Sequence, residues 1–562
     1  MTEEQNMKTE IMRVITVVAI FSMLAPAVLS PATGAPELYS RDTGADEIVK
    51  KFASNEEPAK VNIILPSNAV VGKPVKAVLQ TLDNRSKITR RGLDGLFFSS
   101  TDAIADLSIL SGLKTTKGGV VTIEDALVFN TPGIHYVIVE NRGGDIRSVS
   151  NPVMVTEKEP EYRWYWGELH DQTWFSDGWY TTVGTSPDMA YKYYRDVASL
   201  DFAAVTDHDA CWEGVLQTPF GVIGNWFTDE FMKRYGWEHE KEATRNNYVD
   251  GQFVTLLAQE WTQDYEAYNT YGDGHYNVYY NCVDEADFYS CLDKQTNRIY
   301  EMFDALREWK NDTGKDVFMI PHHLQHPTLG WDYHYYDEEL VPLVEMCQVR
   351  GSSEMRNELG NPVKFDGAMK EPGHTVQDAL AMGYKMGFVA STDDHAIAET
   401  AVSKVCITGV MAENLTRDSI FNALKDRRCI AAKGGNTRML IDFRVNGQTV
   451  GGGSVVKAPE AGSPRTIECS VAGTAPLTSV ALIKNNETLY SMDIQGNERD
   501  LSTYQADFSF TDAQPVTGTI LNAGEYSSFK GSTNGKDYYY MRVLQSDGCA
   551  GWIGPIWVEA EK

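Results

Sequence analysis

The sequence is short of positive charge, of paired-cysteine motifs and of long apolar stretches. Lys and Arg number 50 against 78 Asp and Glu, a formal charge of −28 over 562 residues. A surface so acidic repels phosphate backbones and anionic headgroups, which argues against nucleic-acid binding and against attachment to membranes through basic patches. No CxxC occurs among the eight cysteines, which removes the thioredoxin-type redox motif and the structural zinc knuckle. A dinucleotide GxGxxG, a Walker loop, an HExxH helix and a GxSxG elbow are also missing, and the mechanisms that depend on them lose their main support. Beyond the N-terminal segment no run is long and apolar enough to cross a bilayer. What is present is 42% apolar and 11% aromatic residues, enough for large cores and too much for wholesale disorder. The length implies about two to four domains.

Val14–Leu24 (VITVVAIFSML) is a mostly apolar run preceded by Lys8 and Arg13 and followed by small residues and prolines through Ala35. It is too short to span a bilayer and suits the apolar core of a secretory signal, so residues 1–35 are expected to direct export to the periplasm or the cell exterior. An even number of cysteines fits an oxidising compartment. Cys282 with Cys291 would close a short loop, and Cys469 with Cys549 would staple one β-rich region; both pairings are expectations.

Residues 36–159 read as a small β-sandwich, with apolar runs at Val61, Lys76 and Ile134 separated by Gly, Pro and Asn. Residues 437–562 repeat that pattern, and the NNE turn after Lys484 is hairpin chemistry. Both flanks read as packing or attachment modules. The middle, 160–436, alternates short apolar runs with helical patterns. Ser186 is the expected N-cap of a helix opening at Pro187, and Thr416 the cap of the last helix. Strand, loop and helix in repeated alternation give an α/β region built on a parallel sheet, open or closed into a barrel.

Ten of the eleven histidines lie between His170 and His395. His170, His208, His322, His323 and His395 all follow predicted strands, the edge where α/β folds assemble active sites. A single histidine there is most often a satisfied core residue; several, each beside carboxylates, point to a site. Strand alternation puts His170 and Gln172 on one face and pairs Asp393 with His395. Imidazole and carboxylate donors together suit Mn, Fe or Zn, whereas Ca or Mg would favour oxygen alone.

The ordered set LHDQTWFSDG, TDH at Thr206, a strand-end Glu260, GHxN at Gly274, PHH at Pro321 and STDDH at Ser391 resembles the polymerase and histidinol phosphatase (PHP) family. WGELH and VEMCQVRGSSE, with flanking β-domains, more closely resemble an uncharacterised exported bacterial branch of it. The resemblance implies a distorted (β/α)7 barrel between the two β-domains, holding two or three divalent ions that hydrolyse phosphomonoesters or phosphodiesters of small molecules through a metal-bridged hydroxide. Residue by residue it implies a first ion on His170, Glu260 and Asp393. A second, bridged by Glu260, would be completed by His275 and one of His322 or His323, and a third held by Asp177, His208 and His395.

The sequence departs from that pattern at Gln172, where the family's H-x-H motif has its second histidine. A glutamine carbonyl is a weaker, neutral ligand; alternatively Gln172 hydrogen-bonds a metal-bound water. His326 and His334 are candidates for orienting substrate or protonating a leaving group, against surface aromatic packing. Arg350 is a candidate phosphate grip, against structural pairing with nearby acids. Trp164, Trp174, Trp179 and Tyr180 read as packing, and His239 as a solvated helix residue. Two other functions stay open: a metal-dependent hydrolase of a non-phosphate bond, and a protein that keeps metals for structure while its β-domains bind glycans.

Overall fold

The computed structural model describes residues 53–113, 116, 118–176, 185–210, 228–263, 273–327, 330–331, 335–369, 373–393, 395, 406–434, 437–452, 455–458, 460, 462–518 and 535–560. The expected export signal, Asp177, Trp179, Tyr180 and His334 lie outside these residues. The described residues belong to one compact unit, Ala45–Lys562.

The N-terminal strands form three small sheets: β1 (Lys60–Ile64), β3 (Pro74–Leu82) and β5 (Val120–Val128); β4 (Leu96–Ser100), β7 (Val137–Asn141) and β8 (Arg147–Val149); and β2 (Asn68–Val70), β6 (Gly133–His135) and β9 (Val153–Thr156). They close on one apolar core that includes Val61, Leu79, Phe129 and Val139.

The middle of the chain supplies β10 (Arg163–Glu168), β11 (Phe202–Val205), β12 (Val254–Gln263), β13 (Gly274–Tyr280) and β14 (Val317–His322). It continues with β15 (Leu343–Gln348), β16 (Gly351–Ser352), β17 (Gly387–Ala390), β18 (Cys406–Ala412) and β19 (Cys429–Lys433). Helix starts follow local chemistry. Ser186 Oγ accepts from Met189 N at 3.3 Å and Pro187 opens its helix; Thr416 caps the helix Arg417–Lys425 in the same way. Thr375 and Asp378 form a reciprocal capping box.

The sheet differs from the parallel one expected. β10, β11 and β12 are parallel neighbours, and β15 pairs in parallel with β17, but β12–β13, β13–β14, β10–β18 and β18–β19 are antiparallel. Antiparallel neighbours need no helical crossover, and among the described residues helices are fewer than a (β/α)7 repeat requires. Among the described residues the ladders do not close: β15, β16 and β17 form a three-stranded sheet apart from the larger one. The result is a sheet-rich, mixed α/β fold.

The C-terminal region contributes β20 (Leu440–Val445), β21 (Gln448–Thr449), β22 (Val455–Ala458), β23 (Arg465–Ala472) and β24 (Leu477–Lys484). β25 (Glu487–Asp493), β26 (Gln505–Asp512), β27 (Lys536–Gln545) and β28 (Ala550–Ala560) follow. The NNE turn forms as expected: Asn485 and Asn486 both have left-handed backbones (φ 48° and 69°) and join β24 to β25. These strands are more than an appended module, because β28 pairs antiparallel with β19 and one twelve-stranded sheet runs from β14 to β25. Glu354 reinforces the junction by accepting from Tyr540 Oη, Arg542 Nη1 and Trp552 Nε1. Both cysteine pairings drawn from spacing are absent, since Cys282, Cys291, Cys469 and Cys549 are free thiols. Closeness in sequence does not supply the Cβ geometry a disulfide requires.

Candidate metal centre

Glu260 sits in β12, a strand buried at every residue, and its carboxylate is the hub of the centre. The antiparallel register places His275 opposite His322 on β13 and β14. His275 Nδ1 and His322 Nε2 each lie 2.8 Å from Glu260 Oε1. On the other oxygen, Oε2, the ladder-free segment after β10 brings His170 Nε2 to 3.1 Å and Gln172 Nε2 to 2.7 Å. His208, just past β11, bridges to Glu260 through its backbone, with Nδ1 at 2.7 Å from Thr262 Oγ1 and 3.5 Å from Glu260 Oε1. One buried carboxylate thus meets four imidazoles and an amide.

A second acid approaches from the three-stranded sheet. Asp393 Oδ1 lies 3.5 Å from His170 Nε2, and its Oδ2 lies 3.3 Å from His323 Nε2, accepts from Gln348 Nε2 at 2.8 Å and pairs with Arg350. Both Asp393 (φ 51°) and His323 (φ 56°) have left-handed backbones. That conformation is unfavourable for residues with a Cβ and recurs where surrounding structure fixes a functional side chain. Asp393 and His395 therefore reach the centre through a left-handed turn after β17 and not by simple strand alternation. The His395 ring stacks near His208, centroids 6.4 Å apart.

The electrostatics fit a cation. Burial alone would raise the Glu260 pKa, but His208, His322 and His170 hold it well below the ordinary carboxylate range. Burial likewise opposes protonation of His170, but Asp393, Glu345 and Glu260 raise its pKa well above the usual value. His323 goes the other way, held well below the usual imidazole value by burial first, with His322, Arg350 and His275 adding to the effect. His275 Nε2, His322 Nδ1 and Gln172 Oε1 are buried without a hydrogen-bond partner. Leaving such atoms unsatisfied is costly, and an ion that takes up donor capacity offsets the cost. Glu260, His275, His322 and His323 present ligand atoms within 4.8 Å of one another, a nitrogen and oxygen set suited to Mn, Fe or Zn. Both histidines of PHH belong to this group.

Three residues outside the expected set hold the ligands in place. Glu345 on β15 takes His170 Nδ1 at 2.9 Å and Ser391 Oγ at 2.5 Å, which leaves the other imidazole nitrogen facing Glu260. Gln348 donates toward both His323 Nδ1 and Asp393. Glu168 receives the backbone N–H groups of His170 and Thr392, and burial pushes its carboxyl up to about 8. The usable signal was in VEMCQ, an acid near the end of a buried strand just as Glu260 is. At the mouth, half-buried His326 has its ring 5.9 Å from His323, and Arg350 is partly exposed beside Asp393. His239 is exposed on its helix near Glu242.

Residues 217–370 match the family described as a protein of unknown function (DUF3604). The chain is similar to uncharacterised proteins of Chlamydia pneumoniae (24% identity, 77% of this chain) and Chlamydia trachomatis (23%, 77%), and spans 63% of the length of each. Among solved structures it is similar to a two-domain protein of Bacteroides vulgatus described as containing a predicted PHP-like metal-dependent phosphoesterase. That likeness has a TM-score of 0.33 at 12% identity and covers 71% of this chain and 97% of the other.

Proposed function

We propose that this chain is an exported, multinuclear metal-dependent hydrolase that cleaves a phosphomonoester or phosphodiester of a small molecule. The observation that carries the proposal is Glu260, a fully buried carboxylate with imidazoles on both oxygens. Export is supported by the apolar run Val14–Leu24, and the phosphoester class by the ordered PHP-like motifs.

In this reading Glu260, His275, His322 and His323 would hold one divalent ion and Glu260, His170 and Asp393 another. A third would fall to His208 and His395, with Asp177. Bound divalent ions would supply Lewis acidity toward the ester and a nucleophile from water near neutral pH. Gln172 holds Glu260 Oε2 through its amide and keeps that oxygen aimed inward. Arg350, paired with Asp393 and reaching the mouth, is the group we assign to gripping the substrate's phosphate. His326 is lowered to about 4 by burial, with Arg350 and His275 adding to the effect. It is neutral near pH 7, so its assigned role is orienting the substrate through a hydrogen bond.

Elemental analysis of protein purified without chelators, paired with a panel of phosphate and carboxylate esters, tests the proposal. Two to three equivalents of Mn, Fe or Zn and turnover on a phosphoester are expected, both lost in Glu260→Gln. A Glu260→Gln protein that keeps its metal and its turnover overturns the assignment; carboxylate-ester turnover alone overturns the phosphoester part.

A further inference from the structure

The candidate centre is divided between two sheets. Glu260, His275 and His322 lie on the twelve-stranded sheet, whereas Glu345 and Gln348 lie on β15 and Asp393 follows β17 in the three-stranded one. No strand ladder joins β17 to β18; the Thr408 side chain reaches across instead, donating to Ala390 O at 2.7 Å and accepting from Ala390 N at 3.0 Å. In the same seam, Cys347 of β15 and Cys406 of β18 are free thiols in this structure, but unlike the pairs drawn from spacing they face each other, Cys406 Sγ donating to Cys347 Sγ at 3.2 Å, each 1% exposed. That separation is inside ordinary contact between two sulfurs. Cys347 sits between Glu345, which holds His170, and Gln348, which holds His323 and Asp393.

We infer that Cys347 and Cys406 form a disulfide that ties the two sheets together beneath the centre. The inference does not rest on the hydrolase reading: it is argued from two facing thiols, which need to close by about 1 Å and lose two electrons to an oxidant to become bonded. Its formation balances with a low-molecular-weight disulfide as oxidant. One cysteine thiolate attacks the oxidant, releases one thiol and becomes a mixed disulfide. The second thiolate then attacks the protein sulfur and releases the other thiol. The two cysteines lose two protons and two electrons, and the oxidant gains them. Burial raises the Cys406 thiol well above its usual pKa, with Cys347 adding to the shift. The exchange therefore belongs to folding, before the seam closes, since the thiolate is the attacking species.

The full chain, denatured and reduced, is refolded in a buffer of oxidised and reduced glutathione. The soluble fraction with native circular dichroism is then denatured in N-ethylmaleimide and digested for mass spectrometry. The expected product is one peptide pair joined through Cys347 and Cys406, lighter than its separated halves by two hydrogens. Protein refolded in dithiothreitol instead of the glutathione buffer is expected to melt about 5 °C lower, and Cys406→Ser is expected to leave Cys347 labelled and to melt at the same temperature from either buffer. N-ethylmaleimide on both Cys347 and Cys406 in the soluble, folded fraction overturns the inference. A linked peptide from the oxidised refold, with the same Tm for the protein refolded in dithiothreitol, overturns the clamp. Both readouts use the unmodified sequence, so a serine variant that fails to fold does not blunt them.

Discussion

In the C-terminal sheet, Asp512 Oδ2 receives Arg465 Nη2 and Lys484 Nζ at 2.8 Å and Tyr539 Oη at 2.6 Å, and Lys484 also lies 3.1 Å from Asp537. In the middle of the chain, Glu260, Asp393, Glu345 and Glu168 are equally buried, and of these four it is Asp393 that pairs with a guanidinium, that of Arg350. The first group sets two cations against two acids and neutralises itself. The second keeps an excess of acids and leaves nitrogen atoms of His275 and His322 without partners. Both pay for burial, but only the second has donor capacity to give away. Burial of charge alone does not mark a site; an uncompensated balance does.

Breaking each hub should separate the two groups. The largest effect is expected from Glu260→Gln, with metal and turnover lost together in elemental and ester assays. Asp512→Ala is expected to cost about 3–5 kcal/mol in urea unfolding, because it takes from buried Arg465 its carboxylate partner and leaves Lys484 with Asp537 as its acid partner, while metal content stays unchanged. Glu345→Gln removes the acid that orients His170 and is expected to weaken metal affinity by about 10–100-fold in competition with a chelating dye, with little change in the melting of the metal-free chain. Gln172→His restores an imidazole donor beside Glu260 Oε2, and metal retained on dialysis is expected to rise.

The smallest expected effect is on pH dependence. His326, about 4 in the fold against 6.5 ordinarily, and His323, held well below 6.5, stay neutral where the unfolded chain takes up protons. The unfolded state therefore binds more protons between about pH 4 and 6.5, and stability of the metal-free protein falls as pH drops through that window. His326→Gln should make the fall shallower in urea midpoints measured with chelator; an unchanged slope would break the assignment. His170, raised by its acids, contributes in the opposite sense, its stabilisation fading as pH rises through its folded value.

What was legible in the sequence was mostly local. Ser186, Thr416 and the Asn485–Asn486 turn signal structure within four residues of themselves, and strand-end histidines mark an edge however the strands are ordered. The family-like motifs carried Glu260, His275, His322 and Asp393 to one place. Glu345 was not legible because its partner His170 is 175 residues away, and no periodicity links them. The left-handed backbones of His323 and Asp393 depend on neighbours that fix them. The antiparallel pairings were hidden because a helix between two apolar runs reads as a crossover whether or not the strands end up parallel.

The pairing of β19 with β28 also bears on where this chain can be divided. A protein ended near residue 436 would present β19 to water as a raw edge, its row of N–H and C=O groups open to any other strand. It would also leave the carboxylate of Glu354 without Tyr540, Arg542 and Trp552. The region that carries the histidines borrows its last neighbour from the C-terminus, so a cut between the two removes a strand from the sheet that holds Glu260.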